Sequence, residues 1–220
     1  MSRPQPSPRR PRRRLDRDTI VAEALRLVRA EGIEAVTMRR LADELGTGPM
    51  SLYRHVADRQ ALLIAMLDAV AQTIRLPPAV GDPRSEITAV FTAIHDALRQ
   101  DHWAVQLIVG EKLAGPSILP AIERIYAALR AAGLSPRDTA VAYALLWHYT
   151  AGELLDRHHV TPNSYSQRMV RDADPDTYPN LLESINAFPP GPAGDWFTES
   201  FQRILDGLLL TSLRPSTHPG

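Results

Sequence analysis

The stretch LGTGPMSLYRHVADRQAL, residues 45–62, decides the fold predicted for the N-terminal part of the chain. Gly46 can end a helix because glycine readily adopts the left-handed conformation, and Pro49 suits the first turn of the next helix. A turn explains these two residues, but it does not explain the four hydrogen-bonding side chains that follow. These are Ser51, Tyr53, Arg54 and His55. The pattern predicts a turn followed by a short exposed helix that offers polar groups to a binding partner.

Helical patterns precede this turn. Asp16 or Asp18 can cap a first helix, whose apolar residues repeat at helical spacing until Gly32. Thr37 can cap a second helix, because its hydroxyl can accept a backbone N–H of the first turn. That second helix is short and ends at Gly46. We therefore expect a long helix and then a short one before the turn.

A longer helix is predicted after the turn. Leu52 and Val56 are four residues apart, so they can pack inward while the polar side chains face outward. Asp58 can cap an apolar helix that reaches Ile74 and ends before the prolines at 77–78. Two short helices joined by a turn, with a longer helix on either side, form a helix-turn-helix arrangement. In that motif the second short helix lies in the major groove of DNA.

Composition limits the class of protein. The 220 residues are 44% hydrophobic, which is enough for a buried core. No uninterrupted apolar run is long enough to span a bilayer, and the charged start MSRPQPSPRRPRRR lacks the apolar region of a secretory signal. The chain has no cysteine, so a disulfide or thiolate metal site is excluded. We expect a cytoplasmic protein with no membrane partner.

The net charge of zero conceals an asymmetry. Residues 1–60 carry 13 arginines and 8 acidic residues, whereas the remainder carries 12 basic and 17 acidic residues. A basic N-terminal part on an acidic body favours contact with a polyanion at that end alone. Residues 1–15 are rich in proline and arginine and are predicted to be a disordered arm. Such an arm can contact DNA or can simply remain solvated.

The run LRLVRAEGIEAVTMRRLADELGTGPMSLYRHVADRQALLIAML resembles the DNA-binding head of the TetR family of bacterial repressors, over roughly residues 16–70. The stretches GLSPRDTAVAYALLWHYTAGELLD at 133–156 and YPNLLESINAFPPGPAGDWFTESFQRILDGL at 178–208 are similar to the tetracycline-repressor-like C-terminal domain. The resemblance implies an all-α fold. It implies a three-helix helix-turn-helix head at 16–62 and an α-helical ligand-binding and dimerisation domain at 63–214.

The resemblance also implies that two copies of the chain bind double-stranded operator DNA. The predicted DNA-binding residues are Thr37, Arg39, Pro49, Met50, Ser51, Tyr53, Arg54, His55 and Arg59. In this branch of the family the last long helices form the homodimer interface. One apolar stripe consists of Val141, Leu145, Tyr149, Gly152 and Leu155, and the other of Phe197, Phe201, Ile204, Leu205 and Leu208. Either stripe can instead belong to the core of one subunit.

Seven residues are candidates for ligand binding in the helical body. They are Arg75, Trp103, Gln106, Tyr126, Trp147, His148 and Tyr149. Such residues suit an apolar or polycyclic small molecule with a few hydrogen-bonding groups. Aromatic residues at helical spacing are also typical of a core, and His148 is itself typical of a core histidine. The segment 157–177 is predicted to be a mobile loop at the mouth of the pocket.

The tetracycline-binding branch uses a drug-contacting histidine and a magnesium-ligating histidine. Arg75 stands at the first place, and the segment AVQLIVGEKLAGP has aliphatic residues at the second. Glu111 alone is weak evidence for a cation site. His158 and His159 are predicted to end a helix, where a protonated imidazole favours the helix dipole, and not to bind metal. We therefore predict no metal site and no cofactor, and we do not expect a tetracycline–magnesium inducer.

The resemblance therefore implies a ligand-responsive transcriptional regulator, a repressor that a small-molecule inducer releases from a palindromic operator. The alternative is an architectural DNA-binding protein that responds to no ligand, although such a protein would not need so large a helical body. An enzyme is not expected. The sequence offers no nucleophile beside a base, no glycine-rich phosphate loop and no HExxH pair, so no catalytic residue is predicted.

Overall fold

The computed structural model describes residues 15–79, 81–158, 164–187 and 196–211. Within these ranges the chain forms eleven α-helices and no β-strand, which confirms the predicted all-α fold. The helices are α1 (Arg17–Glu31), α2 (Met38–Glu44), α3 (Pro49–Leu52), α4 (Arg59–Ala71), α5 (Pro83–Gln100), α6 (His102–Gln106), α7 (Leu119–Ala131), α8 (Pro136–His158), α9 (Tyr165–Arg171), α10 (Pro179–Ala187) and α11 (Trp196–Thr211). None of the helices described here has the length and apolarity that crossing a bilayer requires.

The chain divides into two compact units. The head unit contains the described residues up to Thr73 together with Leu107–Ile118. The core unit contains Ile74–Gln106 and the described residues from Leu119 onward. The boundary expected from the sequence, between residues 62 and 63, falls inside α4, whereas the head unit includes the whole of that helix.

Local hydrogen bonds fix where the helices of the head unit begin. The Asp16 carboxylate accepts the Thr19 N–H at 2.8 Å, so Asp16 caps α1. The Thr37 hydroxyl caps α2, and the Asp58 carboxylate caps α4 by accepting the Ala61 N–H at 2.7 Å. Gly46 has a φ of 62°, the left-handed conformation predicted for it. The largest fully buried side chains of this unit are Ile20, Leu27, Leu41, Leu52, Leu62, Leu63 and Met66.

The end of α4 differs from the prediction. The helix ends at Ala71, three residues before Ile74. The Thr73 N–H donates to the Val70 carbonyl at 2.9 Å, and the Thr73 hydroxyl donates to the same oxygen at 2.7 Å. The predicted continuation to Ile74 is therefore wrong, because this tighter turn and the threonine side chain use the Val70 carbonyl that a further helical turn would need.

A connector, residues 107–118, packs on α4 within the head unit. It begins with a π-helix at Leu107–Glu111, passes through Lys112 with a φ of 56°, and ends in a 3₁₀-helix at Pro116–Ile118. The Ser117 N–H donates to the Asp68 carboxylate at 2.7 Å. A Cβ atom on Gly115 would lie only 2.4 Å from the Asp68 Cα, so the connector lies directly on the backbone of α4.

The core unit is built around α5, α7, α8 and α11. Phe91 and Phe201 are fully buried, and their ring centroids are 4.9 Å apart. The Arg84 guanidinium donates twice to the Asp206 carboxylate, at 2.6 and 2.9 Å, which joins α5 to α11. The hydrogen bonds with Arg84 lower the pKa of Asp206. The aromatic layer between α5 and α11 therefore forms the centre of this unit.

The segment after α8 is more regular than the sequence predicted. The last described residue of α8 is His158, and His159 lies outside the described residues, so the helix end predicted there stays a prediction. Within 157–177 the chain forms α9, which a complete capping box between Ser164 and Gln167 initiates. The prediction of a loop is therefore wrong over Tyr165–Arg171. Residues 159–163, and residues 1–14 of the predicted arm, lie outside the described residues.

Candidate DNA-binding surface and ligand-binding helices

The recognition segment, residues 49–56, consists of the single turn α3 and the helical turn that follows it. The Tyr53 N–H donates to the Pro49 carbonyl at 3.3 Å, and the N–H groups of His55 and Val56 both donate to the Leu52 carbonyl at 2.9 Å. Leu52 and Val56 are buried, as predicted. The expectation that one helix carries all four polar side chains is wrong, because α3 ends at Leu52 and three of the four follow it.

The polar side chains of the recognition segment face solvent. Tyr53 is 44% exposed, and Arg54 and His55 are exposed as well. Ser51 is half-buried, and its hydroxyl accepts a hydrogen bond from the Arg54 guanidinium at 3.1 Å. The buried side chains of Leu52 and Val56 hold the segment against the head unit. The polar groups are therefore presented to solvent from a fixed support.

The other predicted DNA-binding residues also belong to the head unit, and all of them are exposed. They are Thr37, Arg39, Pro49, Met50 and Arg59. Thr37 also caps α2, since its hydroxyl accepts a hydrogen bond from the Arg40 N–H at 3.1 Å. Arg40 is engaged within the protein by Glu31 at 3.2 Å and Glu44 at 2.9 Å. Its neighbour Arg39 is the more suitable of the two for contact with phosphate.

The predicted ligand-binding residues belong to the core unit but differ in burial. Trp103 is buried and its indole N–H donates to the Asp101 carboxylate at 3.0 Å, so it is a core residue. Arg75 and Gln106 are exposed. Tyr126 is half-buried, with its ring 5.0 Å from that of Tyr143. Trp103 is therefore enclosed in the core, whereas Arg75, Gln106 and part of Tyr126 offer accessible surface.

Trp147, His148 and Tyr149 are consecutive on α8, so they point in three different directions. Tyr149 packs inward, with its ring stacked on Phe197 at 5.7 Å, and burial is the main cause that raises the pKa of its phenol. Trp147 is half-buried. His148 is exposed, so the expectation that it is a core histidine is wrong.

The two predicted dimer stripes have different surroundings. On α8, Val141 is 51% exposed, and Leu145 and Gly152 are exposed as well. On α11, the three residues Phe197, Phe201 and Leu205 are buried inside the subunit, whereas Ile204 and Leu208 are half-buried. Tyr149 and Leu155 of the α8 stripe are half-buried, so only Val141, Leu145 and Gly152 form an exposed apolar face there. Most of the α11 stripe belongs to the core of one subunit.

An ionisable pair that contains a buried histidine was not predicted from the sequence. His95 of α5 is almost fully buried, and its Nε2 lies 2.7 Å from a carboxylate oxygen of Glu153 on α8. The imidazole also stacks on Phe197 at a centroid distance of 3.9 Å. The available signal was a histidine within the apolar stripe of α5, between Phe91 and Leu98. Its partner could not be deduced, because it lies 58 residues away.

A groove of about 260 Å³ lies between the start of α5 and α7. Its lining includes four alanines, Asp82 and the ion pair of Glu86 with Arg124. The Arg124 guanidinium also donates to the Pro77 carbonyl at 2.6 Å. The groove is therefore apolar with one charged edge. None of the seven predicted ligand-binding residues lines it.

Two family models match the chain. The model described as bacterial regulatory proteins, tetR family, matches residues 20–66, and the model of the tetracyclin repressor-like C-terminal domain matches residues 78–211. The chain is 33% identical to an HTH-type transcriptional regulator of Saccharopolyspora erythraea, over 90% of this chain and 86% of the relative. It is 31% identical to the HTH-type transcriptional repressor DrrR1 of Streptomyces coeruleorubidus, over 91% and 79% of the two chains.

A solved structure has the same architecture. The TetR family protein ActR of Streptomyces coelicolor, in complex with actinorhodin, superposes with a TM-score of 0.77. The match covers 90% of this chain and 97% of the other, at 26% sequence identity.

Proposed function

Because the chain belongs to the TetR family of bacterial transcriptional regulators, we propose that it binds a palindromic operator as a homodimer and that a small molecule releases it. The observation that carries the DNA-binding part is the recognition segment. Its apolar side is buried in the head unit, and Tyr53, Arg54 and His55 face outward. Double-stranded operator DNA is the partner that this arrangement fits.

The test of DNA binding begins with selection of bound DNA from a random pool. The affinity for the selected site is then measured for Tyr53→Ala and for Tyr165→Ala, since Tyr165 is a 75% exposed tyrosine of the core unit. We expect Tyr53→Ala to weaken binding by more than about 1 kcal/mol, the scale of one specific contact, and Tyr165→Ala to leave it unchanged. Equal affinities of wild type and Tyr53→Ala would contradict the proposed contact surface.

We propose a homodimer because one head reads only a few base pairs. A dimer with twofold symmetry places one head on each half of a palindromic site, which doubles the number of contacts with DNA. Three of the five residues in the α8 stripe, Val141, Leu145 and Gly152, are exposed and support this assembly. They offer an apolar face with a small residue that allows close helix approach. Sedimentation of wild type and Leu145→Glu tests it. A wild-type monomer at micromolar concentration, or a selected site without twofold symmetry, would contradict the proposal.

We propose repression with release by an apolar or polycyclic ligand. Two comparisons support this choice: the relative DrrR1 is named a repressor, and ActR was solved with actinorhodin. In the core unit, the half-buried rings of Tyr126, Trp147 and Tyr149 offer flat apolar surface beside polar tips. Arg75 and Gln106 are proposed polar contacts, and Trp103 supports the site from the core. No catalytic step and no metal ion are required, and the place of action is the cytoplasm, with the chromosome.

The ligand proposal is tested by titrating polycyclic compounds against the protein–operator complex, with and without magnesium. We expect release of DNA through about 1–3 kcal/mol of coupling, and an equal weakening of ligand binding by operator DNA. Trp147→Ala should lower ligand affinity without changing DNA affinity. If a bound compound leaves operator affinity unchanged, the protein is a DNA-binding protein without this switch. If tetracycline with magnesium is the best inducer, the proposed ligand class is wrong.

A further inference from the structure

Met50 is the second residue of α3 and is 77% exposed. Single exposed apolar side chains are common on protein surfaces, so exposure alone carries no conclusion. Met50, however, lies in the recognition segment that we propose to enter the major groove. A long apolar side chain at this position needs an explanation in terms of what the segment contacts.

The chemistry of the recognition segment differs between its two ends. The N-terminal end is Pro49-Met50, whose side chains contain no hydrogen-bond donor and only one weak acceptor, the Met50 sulfur. Polar side chains begin only at Ser51. In the helix-turn-helix motif, the first residues of the second helix contact the edges of the bases. The end of this segment that leads into the groove therefore offers the bases no side-chain hydrogen-bond donor and no strong acceptor.

One apolar group distinguishes bases in the major groove, namely the C5-methyl group of thymine. Met50 is suited to it, because an unbranched, polarisable thioether side chain adapts its shape to a small apolar partner. Space is available around it, since the Met50 side chain is 77% exposed. Tyr53 lies three residues on, so its ring shares the face of Met50 and extends the apolar contact.

We propose that Met50 recognises thymine in each half-site of the operator by contact with the C5-methyl group. This inference rests on the proposed DNA-binding function and assigns to one residue the base that it reads. It predicts a thymine at a fixed place in both half-sites. Part of the sequence preference then depends on a methyl group and on no hydrogen bond.

The test removes the methyl group without changing base pairing. In the selected operator, each thymine is replaced in turn by deoxyuridine, and affinity is measured for wild type, Met50→Ala and the control Met169→Ala. Met169 is also an exposed methionine but lies on α9 of the core unit. We expect one replacement per half-site to weaken wild type and Met169→Ala by about threefold to fivefold, the effect of losing one buried methyl group. The same replacement should leave Met50→Ala unchanged.

A second variant, Met50→Gln, keeps the length of the side chain and adds hydrogen-bonding groups. We expect it to lose the sensitivity to deoxyuridine while its thermal unfolding matches that of wild type, because residue 50 is exposed. If deoxyuridine weakens wild type and Met50→Ala equally, or weakens neither, the assignment to Met50 is overturned and DNA binding stands. If the wild-type protein selects no DNA site, the proposed function itself fails.

Discussion

Replacing Gly115 with alanine should destabilise the head unit, and the expected magnitude follows from the contact between the connector and α4. The added Cβ atom would lie 2.4 Å from the Asp68 Cα and 2.5 Å from its Cβ and N atoms. Carbon atoms in contact are about 3.5–4.0 Å apart, so the turn must move outward by roughly 1 Å. Two of the three obstructing atoms belong to the backbone of a helix and cannot swing aside.

That displacement has a second cost. The hydrogen bond from the Ser117 N–H to the Asp68 carboxylate is 2.7 Å long, and a shift of roughly 1 Å takes it beyond bonding range. A hydrogen bond to a charged group contributes about 1.5–3 kcal/mol, and overpacking costs about 1–3 kcal/mol. Since moving the turn relieves the overlap but breaks the hydrogen bond, the two costs do not add. We expect a loss of about 2–3 kcal/mol.

The assay is urea unfolding of the full chain at fixed concentration, together with amide hydrogen exchange of residues 59–71. The control is Gly110→Ala, a substitution in the same connector whose added Cβ would meet nothing within 4 Å. We expect the control to change stability by less than about 0.5 kcal/mol. A Gly115→Ala protein as stable as the control, with unchanged exchange in α4, would refute the argument.

Three further predictions concern other parts of the molecule. Burial raises the pKa of Tyr143 to about 12, so its neutral phenol stabilises the fold below pH 10.0. This stabilisation is lost as the pH rises through about 12. Tyr143→Phe should therefore reduce the fall of the thermal unfolding temperature over that alkaline range. Arg39→Ala should lower the slope of log DNA affinity against log salt by the amount of about one phosphate contact, whereas Arg40→Ala should leave that slope unchanged. Equal slopes for the two variants would contradict this prediction. Phe201→Ala should lower the free energy of unfolding by about 3–5 kcal/mol, because the ring is fully buried against Phe91; a loss below about 1 kcal/mol in denaturant titration would contradict that packing.

The features that the sequence predicted correctly depend on residues close together in the chain. Asp16, Thr37 and Asp58 cap their helices by bonds to N–H groups three residues ahead, and the inward spacing of Leu52 and Val56 follows from helix geometry alone. The all-α fold and the family resemblance follow from many such local patterns in order.

The features that the sequence missed depend on contacts between distant residues. The bond between Asp68 and Ser117 spans 49 positions, and that between His95 and Glu153 spans 58. Residue type also failed to predict burial on α8, where His148 is exposed although its neighbour Tyr149 packs inward. Which side of a helix is covered is decided by the neighbouring helices, and those are brought close only by the complete fold.

The contact between the connector and α4 has a consequence for building chimeras of this regulator with its relatives. A single crossover after α4 would transfer residues 1–73 to a foreign body and leave Leu107–Ile118 behind. The foreign connector would then need a glycine opposite the Asp68 backbone and an N–H opposite its carboxylate. A chimera that exchanges the two segments together preserves the fit, whereas one that exchanges only the first must regain it by compensating substitutions. The two segments that must be exchanged together are separate in the gene although they form one compact unit in space.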